Sequence, residues 1–173
     1  EDAAESLGST YKEQHTGTIG TLSAVSFNGN KIITTGGGGM LLTNDKALAK
    51  KAKHITTTAK VMHKWAFEHD EVGFNYRLPN LNAALGLAQM ESLKKILKAK
   101  RNVAERYQKW GNDSELQFFR ESINTVSNYW LNTVITSDLN ERDAMLEYTN
   151  KNGVMTRPIW RPMHELPMNL QYQ

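Results

Sequence analysis

The sequence predicts a mixed α/β fold, and three observations support this prediction. Two short runs rich in Thr, Ile, Leu and Val lie on either side of four glycines, Gly36–Gly39, as strands lie on either side of a loop. Apolar residues then recur at helical spacing in the segments that follow. In the last third, strand-like runs and one helical segment come in the order β, β, α, β, which is typical of a small α/β domain.

Composition restricts the class of protein. A chain of 173 residues buries roughly 70% of its unfolded surface, which suffices for a core without disulfides. The absence of Cys excludes a disulfide scaffold, a thiolate zinc site and a cysteine nucleophile. The 21 basic and 18 acidic residues nearly balance, and no apolar run approaches the roughly 20 residues of a membrane span. We expect a cytoplasmic globular protein with no nucleic-acid partner and no membrane partner.

The first half contains strand and helix signals in turn. Thr18 to Phe27 and Met40 to Thr43 read as two short buried strands around the glycine loop. Asn44-Asp45 offers N-cap side chains to a helix that ends between His54 and Thr58. His63 to Arg77 has no clean period, so we predict a long functional loop there.

A long apolar stripe begins at Asn80 and stops at Gly111-Asn112, which predicts one helix on the order of 45 Å long. Such a helix bridges two domains, lies along a dimer interface or is simply a long surface helix. Its basic residues fit a nucleic-acid surface less well than a solvated helix face. We place the domain boundary within it, with a large-domain part at 1–95 and a small domain at 96–173.

The small domain continues with two predicted strands, Leu116 to Phe119 and Tyr129 to Thr136. A helix capped by Asn140 follows and stops at Gly153. Val154 to Trp160 is then expected to be extended.

Lys31 is the first candidate for chemistry. It follows the strand end at Ser26 through a turn of small residues, and the glycine tract comes directly after it. A lysine desolvated in such a turn can act as a nucleophile toward a carbonyl group, although an ordinary turn lysine fits the same spacing. The glycines do not form a phosphate-binding P-loop, because Met40 follows Gly39 where that motif needs Gly-Lys-Ser/Thr.

Two further segments carry polar and aromatic side chains. Asn75 and Arg77 stand before the long helix, where they suit phosphate or carboxylate recognition or simply begin the helix. Trp160 and His164 stand in a Pro-rich stretch that either lines a substrate mouth or caps a strand. The histidines show no metal-ligand spacing, so we predict no metal site.

Four motifs in order carry a family resemblance: Glu1-Asp2-Ala3-Ala4, then Ser26 with Lys31, then Gly38-Gly39, then the run from Asn75 to Ala84. Together they resemble the DegT/DnrJ/EryC1/StrS aminotransferases. The resemblance implies the type I aspartate-aminotransferase fold, here as part of the large domain plus a small C-terminal α/β domain. It also implies pyridoxal 5′-phosphate as cofactor and transfer of an amino group from glutamate to a nucleotide-linked 4-keto-6-deoxy sugar, in surface-glycan or nonulosonic-acid biosynthesis.

The resemblance also assigns roles to single residues. Lys31 would hold the cofactor covalently and move the substrate proton, so it is the catalytic residue. Asp2 would meet the pyridine nitrogen, and Ser26 would bind the phosphate. Asn75 would reach the same phosphate from the neighbouring subunit, which implies a homodimer with a shared active site. Glu5 stands beside the cofactor ring, where most relatives carry Gln or His.

Arg77, Trp160 and His164 are expected to contact the nucleotide-sugar. The stretch from Gly29 to Met40 most resembles the LegC-type branch of the family. The family's N-terminal half is missing, so we expect a C-terminal fragment that is itself cut short and is inactive alone. The alternative is a structural or sensor relative without catalysis, which Glu5 and the truncation favour and which the retained Asp2, Ser26 and Lys31 disfavour.

Overall fold

A computed structural model describes residues 1–172. Within them the chain forms short strands and four α-helices, followed by two 3-10 helices at Met163–Glu165 and Pro167–Tyr172. The strands are β1 (Thr10–Tyr11), β2 (Gln14–His15), β3 (Ser23–Ser26), β4 (Gly39–Leu42), β5 (Lys60–Val61), β6 (Glu68–His69), β7 (Gln117–Phe118), β8 (Thr125–Val126) and β9 (Val134–Ile135). The helices are α1 (Lys46–Thr56), α2 (Asn80–Glu91), α3 (Leu93–Asn112) and α4 (Leu139–Lys151).

The strands pair as small antiparallel ladders. β3 pairs with β4 so that Ser26 lies opposite Gly39, and β5 pairs with β6. β7 pairs with β9 in the second half of the chain. β1 lies between β2 and β8, so it joins the beginning of the chain to the segment after α3.

The core lies beneath the turn that carries Lys31. Ser23, Val25 and Phe27 point inward along β3 and its end, while Ala24 is exposed and Ser26 is half-buried, as the two-residue period of a strand requires. Ile32 and Ile33 follow Lys31 directly and are also buried. One face of α3 packs on this cluster through Leu93, Ile96 and Leu97. The turn is therefore anchored on both sides by buried apolar residues.

The predicted single long helix is wrong, because Ser92 divides it into α2 and α3. The backbone N–H of Ser92 bonds to the carbonyls of Gln89 and Met90, which closes a tight turn in place of a regular helical bond. The two helices also have different partners. Asn82 of α2 donates to the carbonyl of Thr35 in the glycine loop, whereas α3 packs on the core.

Several smaller expectations are confirmed or corrected. Helix α1 has the predicted position, and Asp45 caps it by accepting hydrogen bonds from the N–H groups of Ala47 and Leu48. Strand β4 is exposed rather than buried. The predicted loop from His63 to Arg77 contains β6 of the β5–β6 hairpin. None of the helices within residues 1–172 has both the length and the apolar character needed to cross a bilayer.

The small domain differs more from the sequence prediction. The predicted strand from Tyr129 to Thr136 is reduced to β9, because residues 127–130 turn toward the Lys31 site instead. Helix α4 begins one residue earlier than Asn140, and its cap is Asp138, which accepts from the N–H of Glu141. Glu141 in turn accepts from the N–H and the hydroxyl of Ser137, the residue before the cap, which fixes the chain where it enters the helix. The stop at Gly153 is confirmed, with a φ of 76°.

Candidate functional site

Lys31 lies at the centre of the site. Its N–H donates to the carbonyl of Asn28 at 3.1 Å, which closes the turn after β3. The side chain is 12% exposed, and its amine forms an ion pair with the Glu5 carboxylate. The same amine lies 4.6 Å from the centroid of the Trp130 ring. A turn lysine is ordinarily solvated, so this burial distinguishes Lys31 from an ordinary surface lysine.

Asp2 and Ser26 lie on one exposed face beside this turn. Asp2 forms a parallel bridge with Ala24, and paired residues point to the same side of a sheet. Ser26 is two residues after Ala24 and therefore faces the same way. The Asp2 carboxylate accepts from the N–H of Ala4 at 3.1 Å, and the Ser26 hydroxyl accepts from the N–H of Asn28 at 3.3 Å. The structure thus brings a carboxylate and a hydroxyl to the surface next to the Lys31 turn.

The glycine loop is attached to the same turn. The N–H of Phe27 donates to the carbonyl of Gly38, and the N–H of Thr35 donates to the carbonyl of Phe27. Gly36 and Gly38 have φ values of 81° and 94°, in the left-handed region that favours glycine. At Gly39 a side chain would collide with the carbonyl of Val25, so only glycine lets the two strands pair here.

Glu1 fixes the segment that carries Asp2. Its carboxylate accepts from the N–H groups of Gly17, Ile19 and Gly20 at 2.7, 3.0 and 2.9 Å, and from the Ser23 hydroxyl at 3.3 Å. These hydrogen bonds, the one from Gly17 foremost, lower the pKa of Glu1 to about 2. Sequence reasoning gave Glu1 no separate role, although its place before Asp2 in the first motif was a signal.

The residues around Lys31 fit pyridoxal phosphate by the chemistry of their donor groups. The Lys31 amine can bond an aldehyde carbon, and the Asp2 carboxylate can face a protonated ring nitrogen. The Ser26 hydroxyl can donate to a phosphate oxygen. All three groups are held by β3, its neighbouring segment and the turn that follows β3.

Asn75 and Arg77 form a separate group. One guanidinium nitrogen of Arg77 donates to the Asn75 side-chain oxygen and the other to the carbonyl of Thr57, both at 3.0 Å. Both residues are exposed, and within residues 1–172 no hydrogen bond, ion pair or ring contact joins either of them to Lys31. The roles expected for them toward phosphate and nucleotide-sugar stay predictions.

The two predicted residues near the end of the chain have different surroundings. Trp160 stacks on Trp130 with ring centroids 6.0 Å apart and an interplanar angle of 13°, so it belongs to the Lys31 site. His164 lies exposed in the first 3-10 helix, with its Nε2 3.8 Å from a carboxylate oxygen of Glu165.

Sequence reasoning missed Trp130 and Asn128. Trp130 contacts the Lys31 amine, and Asn128 bonds to the backbone of Glu5 at 2.7 Å. Both were read as strand or connecting residues about 100 positions from Lys31. Nothing in the local pattern links such distant segments, so the sequence offered no signal for these two residues.

A second polar cluster lies beside α1. His54, Asp70 and Glu71 place ligand-type atoms within 4.8 Å of one another. His54 Nε2 lies 2.6 Å from Asp70, and this hydrogen bond lowers the pKa of the Asp70 carboxyl. Lys51 donates to both carboxylate oxygens of Glu71 at 2.6 and 2.5 Å. The hydrogen bond from His54 to Asp70 and the ion pair of Glu71 with Lys51 therefore already use the groups that could hold a metal.

One cavity of the structure is lined without Lys31. It has a volume of about 460 Å³ at the end of α3, and its lining includes Gln108, Phe118 and Arg120. None of the predicted site residues lines it. We place the candidate site at Lys31, because the chemically matched groups gather there.

A fold of mixed strands and helices that holds a largely buried lysine beside a carboxylate and a hydroxyl fits a protein that binds pyridoxal phosphate. The chain belongs to the DegT/DnrJ/EryC1/StrS aminotransferase family, whose pattern matches residues 1–173. This confirms the family read from the four motifs and, with it, pyridoxal phosphate as the cofactor of the fold. The assignment to the LegC-type branch stays a prediction.

The relatives agree with this assignment. The chain is 40% identical over 168 residues to the GDP-perosamine synthase of Escherichia coli O157:H7, covering 97% of this chain and 46% of the relative. It is 41% identical over 172 residues to EpsN of Bacillus subtilis, a putative pyridoxal phosphate-dependent aminotransferase, covering 97% and 43%. The chain thus spans less than half the length of these two relatives.

A solved structure confirms the fold. Helicobacter pylori PseC, an aminotransferase involved in pseudoaminic acid biosynthesis, superposes with a TM-score of 0.91 at 24% identity. The superposition covers 98% of this chain and 47% of PseC. The chain is therefore a part of the type I aminotransferase fold. The boundary between 1–95 and 96–173 stays a prediction.

Proposed function

We propose that the intact protein containing this chain is a pyridoxal-phosphate aminotransferase that moves an amino group onto a nucleotide-linked keto-sugar. The observation that carries the proposal is the largely buried Lys31 amine beside the face that presents Asp2 and Ser26. The similarity to GDP-perosamine synthase supports a nucleotide-sugar as substrate.

Each residue has a task in this reaction. Bound pyridoxal phosphate supplies an electron sink that makes a proton on the substrate's amine-bearing carbon acidic. The Lys31 amine takes that proton and returns it, as a general base and then a general acid. The Asp2 carboxylate holds a positive ring nitrogen, and the Ser26 hydroxyl orients the phosphate. Glu5 balances the charge of the Lys31 ammonium when the amine carries the proton.

The finer substrate assignment is part of the proposal. We propose glutamate as the amino donor and a 4-keto-6-deoxy sugar as the acceptor, with the product used in surface-glycan or nonulosonic-acid biosynthesis. Arg77, Trp160 and His164 would contact the nucleotide-sugar. The position of Trp160 beside Trp130 at the Lys31 site supports its role, since an aromatic ring there can cover the apolar face of a sugar.

The assembly is also a proposal. We propose a homodimer in which Asn75 of one subunit reaches the cofactor phosphate of the other, and a cytoplasmic location. The exposed position of Asn75, without contact to its own Lys31, supports this arrangement. We also propose that residues 1–173 alone are inactive, because the missing half would supply the rest of the cofactor site.

A transamination assay tests the proposed function. The intact protein is incubated with pyridoxal phosphate, glutamate and a series of nucleotide-linked keto-sugars, and 2-oxoglutarate and amino-sugar are measured. We expect both products in equal amounts, and none from Lys31→Ala. A protein that binds no pyridoxal phosphate and forms no amino-sugar from any of the keto-sugars would favour the alternative, a structural or sensor relative.

A further inference from the structure

Trp130 lies against the amine on which the proposed function depends. We propose that Trp130 is a positioning residue that holds the Lys31 nitrogen in one place, and that Asn128 sets Trp130 and Glu5 in position together. This inference rests on the proposed function, since it concerns Lys31 as the residue that bears the cofactor.

Lys31 needs such a holder because its side chain is a flexible four-carbon stem. Two groups restrict the nitrogen at its end. The Trp130 ring centroid is 4.6 Å away, within the range of a cation–π contact, and the Glu5 carboxylate pairs with the same nitrogen. At 12% exposure little water competes with them. The nitrogen is therefore confined by a ring and a carboxylate at once.

Trp130 is itself fixed to the turn that carries Lys31. Its indole Nε1 donates to the carbonyl of Asn30 at 2.6 Å, the residue directly before Lys31. Its backbone carbonyl accepts from the Lys100 ammonium at 2.8 Å. Trp160 stacks on the same ring. The ring and the lysine are therefore parts of one local unit, although 99 residues separate them in sequence.

Asn128 joins the two partners of Lys31. Its side chain is buried, with 4% of the residue exposed, and its amide donates to the carbonyls of Glu5 and Leu7 at 2.7 and 3.0 Å. Its side-chain oxygen accepts from the N–H of Trp130 at 2.9 Å. The Asn128 side chain thus holds the backbone of both Glu5 and Trp130, the two residues whose side chains contact the Lys31 amine.

Helix α3 supports this segment from behind. Arg101 donates to the carbonyl of Ser127 at 2.8 Å and forms a two-bond ion pair with Glu121 at 3.0 and 2.9 Å. Glu121 also accepts from the N–H of Ser127 at 2.6 Å. Residues 127–130 are consequently tied to a rigid helix, which is how a positioning group keeps a fixed orientation.

The first test observes the contact in the cofactor-free intact protein. Lysines are converted to ¹³C-dimethyl-lysines by reductive methylation, and the Lys31 resonance is assigned by its loss in Lys31→Arg. A ring over the nitrogen shifts the methyl resonances upfield. We expect this shift in the wild type, its loss in Trp130→Leu and a smaller shift in Trp130→Phe, which keeps a ring without the indole N–H.

The second test measures the consequence. Pyridoxal phosphate is added below saturation, the adduct is trapped with borohydride, and the modified Lys31 peptide is quantified over time. We expect trapping to be about tenfold slower in Trp130→Leu, because an amine that the ring no longer confines reaches the aldehyde carbon in the reacting orientation less often, and intermediate in Trp130→Phe. Trp110→Leu is the matched control, because Trp110 packs on Phe118 at 5.8 Å in a different aromatic cluster.

The outcomes separate the two proposals. A shifted resonance that persists in Trp130→Leu, or trapping as fast as in Trp110→Leu, overturns the positioning role while a wild-type adduct at Lys31 preserves the proposed function. If the wild-type protein shows the shifted resonance but never forms the adduct, the proposed function is overturned. The contact of the Trp130 ring with the Lys31 amine is then still supported. If Trp130→Leu does not fold, Trp130→Phe alone decides, and wild-type behaviour in both tests overturns the role.

Discussion

At the scale of single residues, two side chains outside the reacting groups hold the site together. The Glu1 carboxylate accepts hydrogen bonds from three N–H groups of a loop and so fixes the segment that carries Asp2. The side-chain amide of Asn128 donates hydrogen bonds to the carbonyls of Glu5 and Leu7. Asn128 is buried, so the loss of its side chain leaves backbone groups without a partner, whereas Glu1 is exposed and water can replace part of its hydrogen bonds.

Glu1 makes stability depend on pH in the acid range. Its pKa is about 2 in the folded protein against 4.5 for an ordinary glutamate, so its contribution is complete above about pH 4.5 and is lost as the pH falls toward 2. We expect Glu1→Gln to flatten this decline when the thermal midpoint is followed from pH 6 to pH 2. Glu147→Gln, an exposed glutamate on α4, is the control. An unchanged decline in Glu1→Gln would contradict the assignment.

Asn128 should matter for stability more than its size suggests. We expect Asn128→Ala to lower the free energy of unfolding by about 2–3 kcal/mol, because two carbonyls and one N–H lose a buried partner. Denaturant unfolding of the cofactor-free protein measures this. Asn102→Ala, on the exposed side of α3, should change it little. Equal effects in the two variants would show that the Asn128 bonds are not needed.

At the scale of elements, the structure and the sequence prediction differ in the residue that caps the beginning of α4. Asp138 caps the helix, whereas Asn140 lies within its first turn. We expect Asp138→Ala to destabilise the protein by about 1 kcal/mol and Asn140→Ala by clearly less. Denaturant unfolding of both variants provides the comparison. A larger loss in Asn140→Ala would restore the cap predicted from sequence.

Elements that depend on near neighbours in sequence were predictable. The cap of α1, the stop at Gly153 and the strands on either side of the glycines all follow from residues a few positions apart. The break at Ser92 was not predictable, because the apolar stripe of the segment continues across Ser92. Only the different partners of α2 and α3 reveal the break. The pairing of β1 with β8 was equally hidden, since it joins segments more than 100 residues apart.

The candidate site divides in the same way. Lys31, Ser26 and Asp2 were found from ordered motifs, and the structure places them around one turn and one strand face. Trp130 and Asn128 join that site only through tertiary contacts across 100 and 123 positions, to Asn30 and Glu5. The local periodicity of a sequence carries no information about contacts between residues so far apart in the chain.

At the scale of the whole molecule, much apolar surface is exposed. Met62 is 95% exposed, Phe67 81% and Leu81 86%, and α2 has no buried residue. Patches of this kind mark surfaces that other protein covers. They lie on the β5–β6 hairpin and α2, on either side of the segment that carries Asn75, which is the segment that the proposed homodimer uses.

A charge on this surface should weaken the proposed homodimer. We expect Phe67→Glu to convert the intact protein from dimer to monomer at micromolar concentration, because burying an unpaired carboxylate in an apolar interface is costly. Light scattering after size exclusion measures the mass. Tyr148→Glu, at a 70% exposed site on α4, should leave the dimer intact. A dimer that survives Phe67→Glu would place the interface elsewhere.

The central claim is that Lys31 bears the cofactor. The most direct measurement is borohydride reduction of the intact protein with pyridoxal phosphate, followed by peptide mapping of the modified lysine. The account predicts a single reduced adduct on Lys31 that disappears in Lys31→Arg. An adduct on another lysine, or cofactor absorbance with no adduct at all, would contradict it.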